Sequence, residues 1–458
     1  MKPKTKLFLP LLIVFLGFFT RFIFIWHPAE VVFDEVHFGK FVSSYFTRQY
    51  YFDIHPPLGK LMVAITAKLF GFQAGFDFNR IGESFDKNNL FVLRFLPAFF
   101  GALLPILVYL IILKLGLSKK AAFLGAFLII FDPAFLVQSK FILVDSFLLF
   151  FGFLAVYFFI LSKQKNSLKK SYLFLAISAI FSALALSIKW TGLSFLGIII
   201  FFTFLDFFKN RRFKNNLLKL IILIIVPFAI YLSIFAAHFK LLHNSGQGNA
   251  FMSPAFQKTL AANNINEDIK PLSFWQKFIE LNKAMYKYNK NIKESHPFSS
   301  RWNEWPKAKK PIWYWTKTAD GKIANIYFFG SPFVWWFTSL SVFFSIIFLF
   351  IKKYRKKIPS VIYFLIFGYF INLLPFIMVG RVTFLYHYLP SLIFAIFIFV
   401  VLEEKIFLKK NSKFSILLYF IFLTAVFLFF IFTLPQSYGF PVSEKTNEIY
   451  KILIQFLS

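Results

Sequence analysis

The chain contains no cysteine. Disulfides, thiolate nucleophiles and Cys-ligated metals are therefore excluded, and every compartment stays open. Acidic residues are scarce as well: 20 Asp and Glu stand against 51 Lys and Arg in 458 residues. Four common signatures are missing, namely a Walker A loop, GxGxxG, HExxH and GxSxG. P-loop phosphate binding, dinucleotide binding, zincin proteolysis and nucleophile-elbow hydrolysis thus lose their sequence marks. The acidic pair Asp34-Glu35 is not the spaced Asp-x-Asp that grips a nucleotide sugar through a metal.

Hydrocarbon is what the chain has in abundance. It is 58% hydrophobic with 74 Phe, and its mean hydropathy is +0.67. Several stretches run for about 20 apolar residues, the length that spans a bilayer core. An all-α polytopic membrane protein follows. Eleven helices are predicted, at roughly 7–26, 91–113, 121–138, 141–162, 171–189, 191–208, 218–237, 333–351, 359–378, 384–402 and 414–434. The first, Leu7 to Trp26, is too long for a signal-peptide core and lacks a small-residue cleavage site, so it reads as a retained helix.

In a soluble protein a net charge of +31 would point to nucleic acid. Here the basic residues crowd into short gaps between apolar stretches, and no nucleic-acid partner is expected. The gaps are the N-terminus (Lys2, Lys4, Lys6), the turn with Lys114, Lys119 and Lys120, and KQKNSLKK from Lys163. KNRRFKNNLLK from Lys209, KKYRKK from Lys352, and the turn with Lys405, Lys409, Lys410 and Lys413 complete the set. They occupy every second gap, as inner loops should, and they suit anionic membrane lipid. The N-terminus is then cytoplasmic and the C-terminus outside. Three regions result: an N-terminal membrane region 1–237 with outer loop 27–90, a long outer loop 238–332, and a C-terminal membrane region 333–458.

This topology puts all seven His outside or at the outer edge: His27, His37, His55, His238, His243, His296 and His387. Phe33 to Lys60 reads FDEVHFGKFVSSYFTRQYYFDIHPPLGK and gathers Asp34, Glu35, His37, Asp53, His55 and Lys60. It is either a working segment or a solvated loop. Adjacent residues point in different directions, so one of Asp34 and Glu35 faces a substrate, not both. Pro57 to Phe72 has helical spacing that fits an amphipathic helix on the membrane surface or core packing. Arg94 lies about one turn inside the second membrane helix, as a snorkelling residue or a phosphate clamp. FDPAFLVQSKFILVDS places Asp132, Gln138, Lys140 and Asp145 at outer helix ends, and Lys189 in SIKWTG ends another. SHPFSSRWNEWPKAKKPIWYW from Ser295 holds His296, Arg301, Trp302, Glu304 and Trp305, rings that suit a bilayer interface or a sugar face. GRVTFLYHYLPSL places Arg381 in a short outer loop and His387 one turn into a helix. No role is assigned to Pro435 to Ser458.

FDEVHFGKF followed by YYFDIHPPLGK resembles the first outer loop of the protein O-mannosyltransferases, which move mannose from a polyprenyl-phosphate carrier to Ser or Thr of proteins. QSKFILVDS, the SHPF…WP…PIWYW block, GSPFVWW and YHYLP resemble further blocks of that family. The resemblance implies a GT-C-type fold in a bacterial-type member. The second long loop is too short, and has no internal repeat, for the β-trefoil domain of larger members. It implies polyprenyl-phosphate-mannose as donor and secreted or membrane proteins as acceptors. It puts Asp34 as general base with Glu35 in support. Arg94, Lys140, Lys189 and Arg381 would hold the donor phosphate, with Lys140 where the family usually has Arg. His55, Lys60, Gln138, Asp145, His296, Trp302 and His387 would support the substrate site. No cofactor is expected, and a divalent metal is left open. A phosphate leaves without a general acid, whereas a hydroxyl acceptor needs a base. Single displacement inverts the anomeric centre; retention would need a second carboxylate nearby. Two other functions compete with this one: a lipid-to-lipid sugar transferase of the same fold, and a transporter or flippase. The second would show repeated halves and midplane charges, which this chain lacks.

Overall fold

A computed structural model describes residues 7–164, 167–209, 213–291, 296–407 and 412–457. Of the basic gap residues, Lys2, Lys4, Lys6, Lys165, Arg211, Arg212, Lys409 and Lys410 lie outside the described residues, as does Ser295. The chain begins with α1 (Phe8–Phe22), α2 (Glu35–Thr47), α3 (Leu58–Leu69) and α4 (Lys87–Lys114). Next come α5 (Lys119–Ile130), α6 (Pro133–Lys140), α7 (Asp145–Lys163), α8 (Leu168–Leu186), α9 (Leu193–Lys209) and α10 (Phe213–Leu241). The second long loop folds as α11 (Pro254–Gln257), α12 (Phe274–Asn291) and a hairpin of β1 (Ile312–Ala319) and β2 (Lys322–Phe328). After it follow α13 (Pro332–Phe350), α14 (Lys352–Arg355), α15 (Val361–Leu373), α16 (Leu389–Leu402) and α17 (Lys413–Phe432). The tail adds α18 (Leu434–Tyr438), β3 (Val442–Ser443) and α19 (Glu444–Phe456).

In lipid every backbone polar group must be satisfied within the chain, so apolar runs become helices. Among the described residues nine helices are long and apolar enough to cross a membrane, or ten if the bent pair α5–α6 is one span. Each of the eleven apolar stretches coincides with one of these or with the shorter α1. The 57° bend between α5 and α6 has a local cause. Asp132 caps a new helix by accepting from the Ala134 N–H at 3.0 Å, and Pro133 opens it. The other Asp132 oxygen accepts from the Ser331 N–H and the Trp335 indole, tying α6 to α13. Small residues let helices close in: a Cβ on Gly17 of α1 would lie 2.5 Å from the Ala102 carbonyl oxygen of α4.

The helix ends sort by chemistry. Gln164 donates to the Lys114 carbonyl, Glu404 accepts from the Ser118 N–H, and Tyr419 donates to the Lys120 carbonyl. These basic turns therefore share one end of the bundle. The starts of α4, α7 and α16 and the ends of α6 and α8 make up the other, where both long loops sit. There β1 and β2 pair antiparallel, with Ile312 opposite Phe328, and β3 joins at Ile323 opposite Val442. The tail after Pro435, without a role in the sequence, thus completes a three-stranded sheet. Along the first loop α3 forms as the spacing predicts, with Leu61, Val63 and Ala67 buried and Ile65 and Leu69 exposed.

One ion pair fastens the first loop to the bundle. Arg94 and Glu35 are both fully buried. Arg94 donates Nε–H and Nη2–H to the two Glu35 oxygens, each at 2.7 Å. Its remaining N–H groups go to the carbonyls of Ile25, Pro28 and Glu30. Glu35 also accepts from the Ile142 N–H at 3.0 Å and the Val32 N–H at 2.9 Å. All five guanidinium donors are used. Removing one member of such a pair typically costs about 3–5 kcal/mol. Arg94→Ala is expected to lower the thermal midpoint of the detergent-solubilised protein sharply, and an unchanged midpoint would remove the anchor role.

Candidate active site

At the loop end of the bundle a cavity of about 490 Å³ opens between α7, α9, α15 and the start of α16. Most of its wall is apolar, including Leu148, Leu193, Ile371 and Phe376. Its polar end carries Asp145, Lys189, Tyr386 and His387. Lys189 follows α8 and donates to both Asp145 oxygens, at 2.7 and 2.9 Å. Gln138 at the end of α6 donates to Asp145 at 2.8 Å and accepts from the Tyr314 hydroxyl at 2.5 Å. The ammonium has three donors, so Lys189 keeps capacity for another anion.

Asp34 stands beside this end, half-buried, as the residue before α2. Its carboxyl makes no hydrogen bond among the described residues, not even as a helix cap. Burial pushes it up to about 6, while His37 and Lys189 pull it down and Asp145 and Asp53 push it up further. The backbone just before it is strained: Phe33 has φ 48°. β1 holds that conformation. The Phe33 N–H donates to the Tyr314 carbonyl at 3.1 Å, and the two rings stack 4.0 Å apart at 10°. Tyr314 therefore touches both the Asp34 segment and the chain of hydrogen bonds to Lys189. It was not singled out in the sequence, because nothing local marks it among the rings of PIWYW.

The remaining sequence candidates divide sharply. His387 lines the cavity, stacks on Trp305 at 5.8 Å and 12°, and has Nδ1 2.9 Å from the Phe384 carbonyl oxygen. His55 is held well below its usual range by burial, with Lys189, Lys60, Arg381 and His387 adding to the effect, so it is neutral. Arg381 makes no ion pair or hydrogen bond among the described residues; its charge acts on His55 and His387. Burial lowers its own pKa.

Other residues are corrected by their partners. Arg94 has no N–H left for a phosphate, and Glu35 no free oxygen for a substrate. Lys60 spends its three donors on Asp53 at 2.5 Å and on the His55 and Pro56 carbonyls. It locks the HPP turn and does not meet a substrate. Lys140 is fully buried, with Nζ 3.9 Å from the centre of the Tyr438 ring and no hydrogen-bond partner among the described residues, and it does not line the cavity. His296 is exposed and faces Phe384 rather than the cavity. Trp302 is half-buried; the indole that backs His387 is Trp305. Among the described residues no group of three or more His, Asp or Glu is placed to hold a metal ion.

This architecture, with an apolar trough ending in charged groups at the loop end of the bundle, is a GT-C-type fold. A structure of a Saccharomyces cerevisiae protein O-mannosyltransferase complex bound to the sugar donor superposes with TM-score 0.88 at 22% identity, covering 100% of this chain and 93% of that one. ArnT from Cupriavidus metallidurans, bound to undecaprenyl phosphate, gives TM-score 0.55 at 12% identity over 92% of this chain and 63% of the other. The chain belongs to the dolichyl-phosphate-mannose-protein mannosyltransferase family: that family's model matches residues 11–243, and the model of its C-terminal four-helix membrane region matches 274–455. Dolichyl-phosphate-mannose–protein mannosyltransferase 1 of S. cerevisiae is 38% identical over 278 residues, 58% of this chain and 34% of that protein. Protein O-mannosyl-transferase 2 of Danio rerio is 33% identical over 276 residues, 58% of this chain and 36% of that protein. The chain thus aligns with about a third of the length of these curated relatives.

Tyr314 and Gln138 should be energetically coupled. Tyr314→Phe keeps the stacking but leaves the Gln138 oxygen unpaired. A double-mutant cycle with Gln138→Leu is expected to give an interaction of about 0.5–3 kcal/mol in unfolding free energy. Additivity within about 0.3 kcal/mol would break the proposed chain.

Proposed function

We propose that the protein is an inverting glycosyltransferase that moves mannose from polyprenyl-phosphate-mannose to Ser and Thr hydroxyls of proteins. The observation that carries this reading is the unpaired Asp34 carboxyl beside the Lys189 end of an apolar cavity. The lipid chain lies in the trough. The donor phosphate meets Lys189, with Arg381 close enough to act on the same charge. The acceptor hydroxyl gives its proton to Asp34 as its oxygen attacks the anomeric carbon. The bond from that carbon to the phosphate oxygen breaks, and its electron pair leaves on the phosphate. Asp145, held by Gln138, keeps Lys189 in place, and His387 lines the cavity beside them. Family membership and the residues of the HPPLGK and YHYLP blocks support mannose and a protein acceptor over a lipid acceptor.

The same reading assigns catalysis to 1–237, acceptor-side functions to the loop 238–332, and part of the donor trough to 333–458. It places the loop end outside and the N-terminus in the cytoplasm of a bacterial or archaeal cell, because Lys114, Lys119, Lys120 and Lys163 share the opposite end. A tag in the turn at Lys353 should be protected from outside, whereas one after Ser458 should be accessible; the same accessibility for both would overturn this orientation.

Asp34→Asn keeps the shape but cannot accept a proton. General-base loss costs about 10²–10⁴-fold in rate. Single-turnover transfer of mannose to a Ser/Thr peptide at saturating donor should fall by that order, with donor binding little changed. The base works deprotonated, so wild-type turnover should climb as pH rises through about 6 and fall below it. Near wild-type turnover in Asp34→Asn would rule out the assignment, and transfer to a lipid acceptor but not to peptide would favour the lipid-acceptor function.

A further inference from the structure

A second cavity, of about 620 Å³, lies against α2. Its wall combines His37, Lys40 and Ser44 of α2, Asp77 of the segment before α4, and Gln247 of the second long loop. It shares no lining residue with the first cavity. His37 sits in the first turn of α2, its N–H donating to the Asp34 carbonyl at 2.9 Å. Asp34 thus lies one helical turn from a wall residue of the second cavity and within electrostatic reach of two wall residues of the first. Lys189 and Asp145 act on its carboxyl from the first, and His37 acts on it from the second.

The chemistry of the second cavity differs from that of the first. Hydroxyls and amides dominate, from Ser43, Ser44, Thr47, Gln49, Asn79 and Gln247. Lys40 and Asp77 carry opposite charges, so neither a lipid tail nor a phosphate is served. Ser43 has a buried hydroxyl with no hydrogen-bond partner among the described residues. Two stacked pairs give flat walls: Phe41 on Tyr51 and Phe52 on Phe251, both at 4.6 Å. The two long loops are laced together beneath, with the Tyr50 N–H donating to the Asn244 carbonyl at 2.8 Å and the Gly248 N–H to the Tyr50 carbonyl at 3.0 Å. A Cβ on Gly248 would lie 2.4 Å from the Tyr51 backbone, so this contact admits glycine alone without displacement.

Neutral donors and acceptors between aromatic walls match peptide amides and mixed side chains, and the volume falls in the range of specific binding sites. In-line displacement also requires the acceptor to approach from the side opposite the leaving phosphate. We propose that this second cavity binds the acceptor as an extended peptide segment, delivering its Ser or Thr hydroxyl past His37 to Asp34. The proposal rests on the function argued above and adds the place and character of acceptor recognition. With balanced charge in the wall, selection among acceptors is by shape and hydrogen bonding, not by net charge.

The test uses the purified full chain, polyprenyl-phosphate-mannose and a Ser/Thr peptide carrying a benzophenone residue near the hydroxyl. Photo-crosslinks are expected in 37–52, 74–79 or 247–251. Ser44→Trp, which fills the cavity, should raise the peptide KM about tenfold or more while the donor KM stays within about twofold. Gln247→Ala, on an exposed loop position, removes one hydrogen-bonding group without threatening the fold and should raise the peptide KM about fivefold. Unchanged peptide KM in both variants, or crosslinks gathered instead in the separate cavity lined by Arg301, Arg381 and Thr383, would overturn the acceptor site and leave the proposed function standing. A wild-type protein that transfers mannose to no peptide would overturn both.

Discussion

The pair formed by Arg94 and Glu35 is the constraint on which the rest depends. Two opposite charges at the edge of a bilayer are costly unless every donor and acceptor is used. Here they are used, and the partners come from distant places in the chain. Ile25, Pro28 and Glu30 belong to the exit from α1, Val32 to the approach to α2, and Ile142 to the turn between α6 and α7. One guanidinium and one carboxylate thus fix three segments against α4. Asp34, next in sequence to Glu35, inherits that rigidity while its own carboxyl stays uncommitted.

The same contrast sorts the other charged groups. Those whose hydrogen-bonding capacity is exhausted hold structure: Arg94, Glu35, and Lys60 with Asp53 under the HPP turn. Among those with capacity left, Lys189 lines the first cavity, Asp34 stands beside it, Arg381 lines a separate cavity, and Lys140 is sealed against the Tyr438 ring. Electrostatic preorganisation needs this second kind, because a group must keep capacity for charge that develops in the transition state. The site is built by surrounding a few open groups with many closed ones.

Much of this was legible in the sequence. The eleven apolar stretches map onto the helices because hydrocarbon length and backbone satisfaction leave few alternatives. Alternating loop charge put Asp34, Asp145, Lys189 and His387 at one end, where the fold gathers them. The misreadings have a common source. Arg94 and Lys60 looked like free cations because their partners are mostly backbone carbonyls, which carry no residue-type signal. Lys140 looked like a phosphate ligand because the aromatic face it meets, Tyr438, comes from the tail. Tyr314 was invisible for the converse reason: its importance lies in reaching Phe33 and Gln138, both far away along the chain.

The tail strand has a consequence for biogenesis. β1 carries the ring that stacks before Asp34, β1 pairs with β2, and β2 is flanked by Val442 and Ser443. Asn447 adds a bond to Asn325, and the Gly439 carbonyl meets His27 at the start of the first loop. The ribosome makes the Asp34 segment long before the residues that complete its clamp. While the nascent chain is still being threaded into the bilayer, the hairpin lacks its third strand and the first loop lacks its final contact. Competence therefore waits until the residues after α17 have been made.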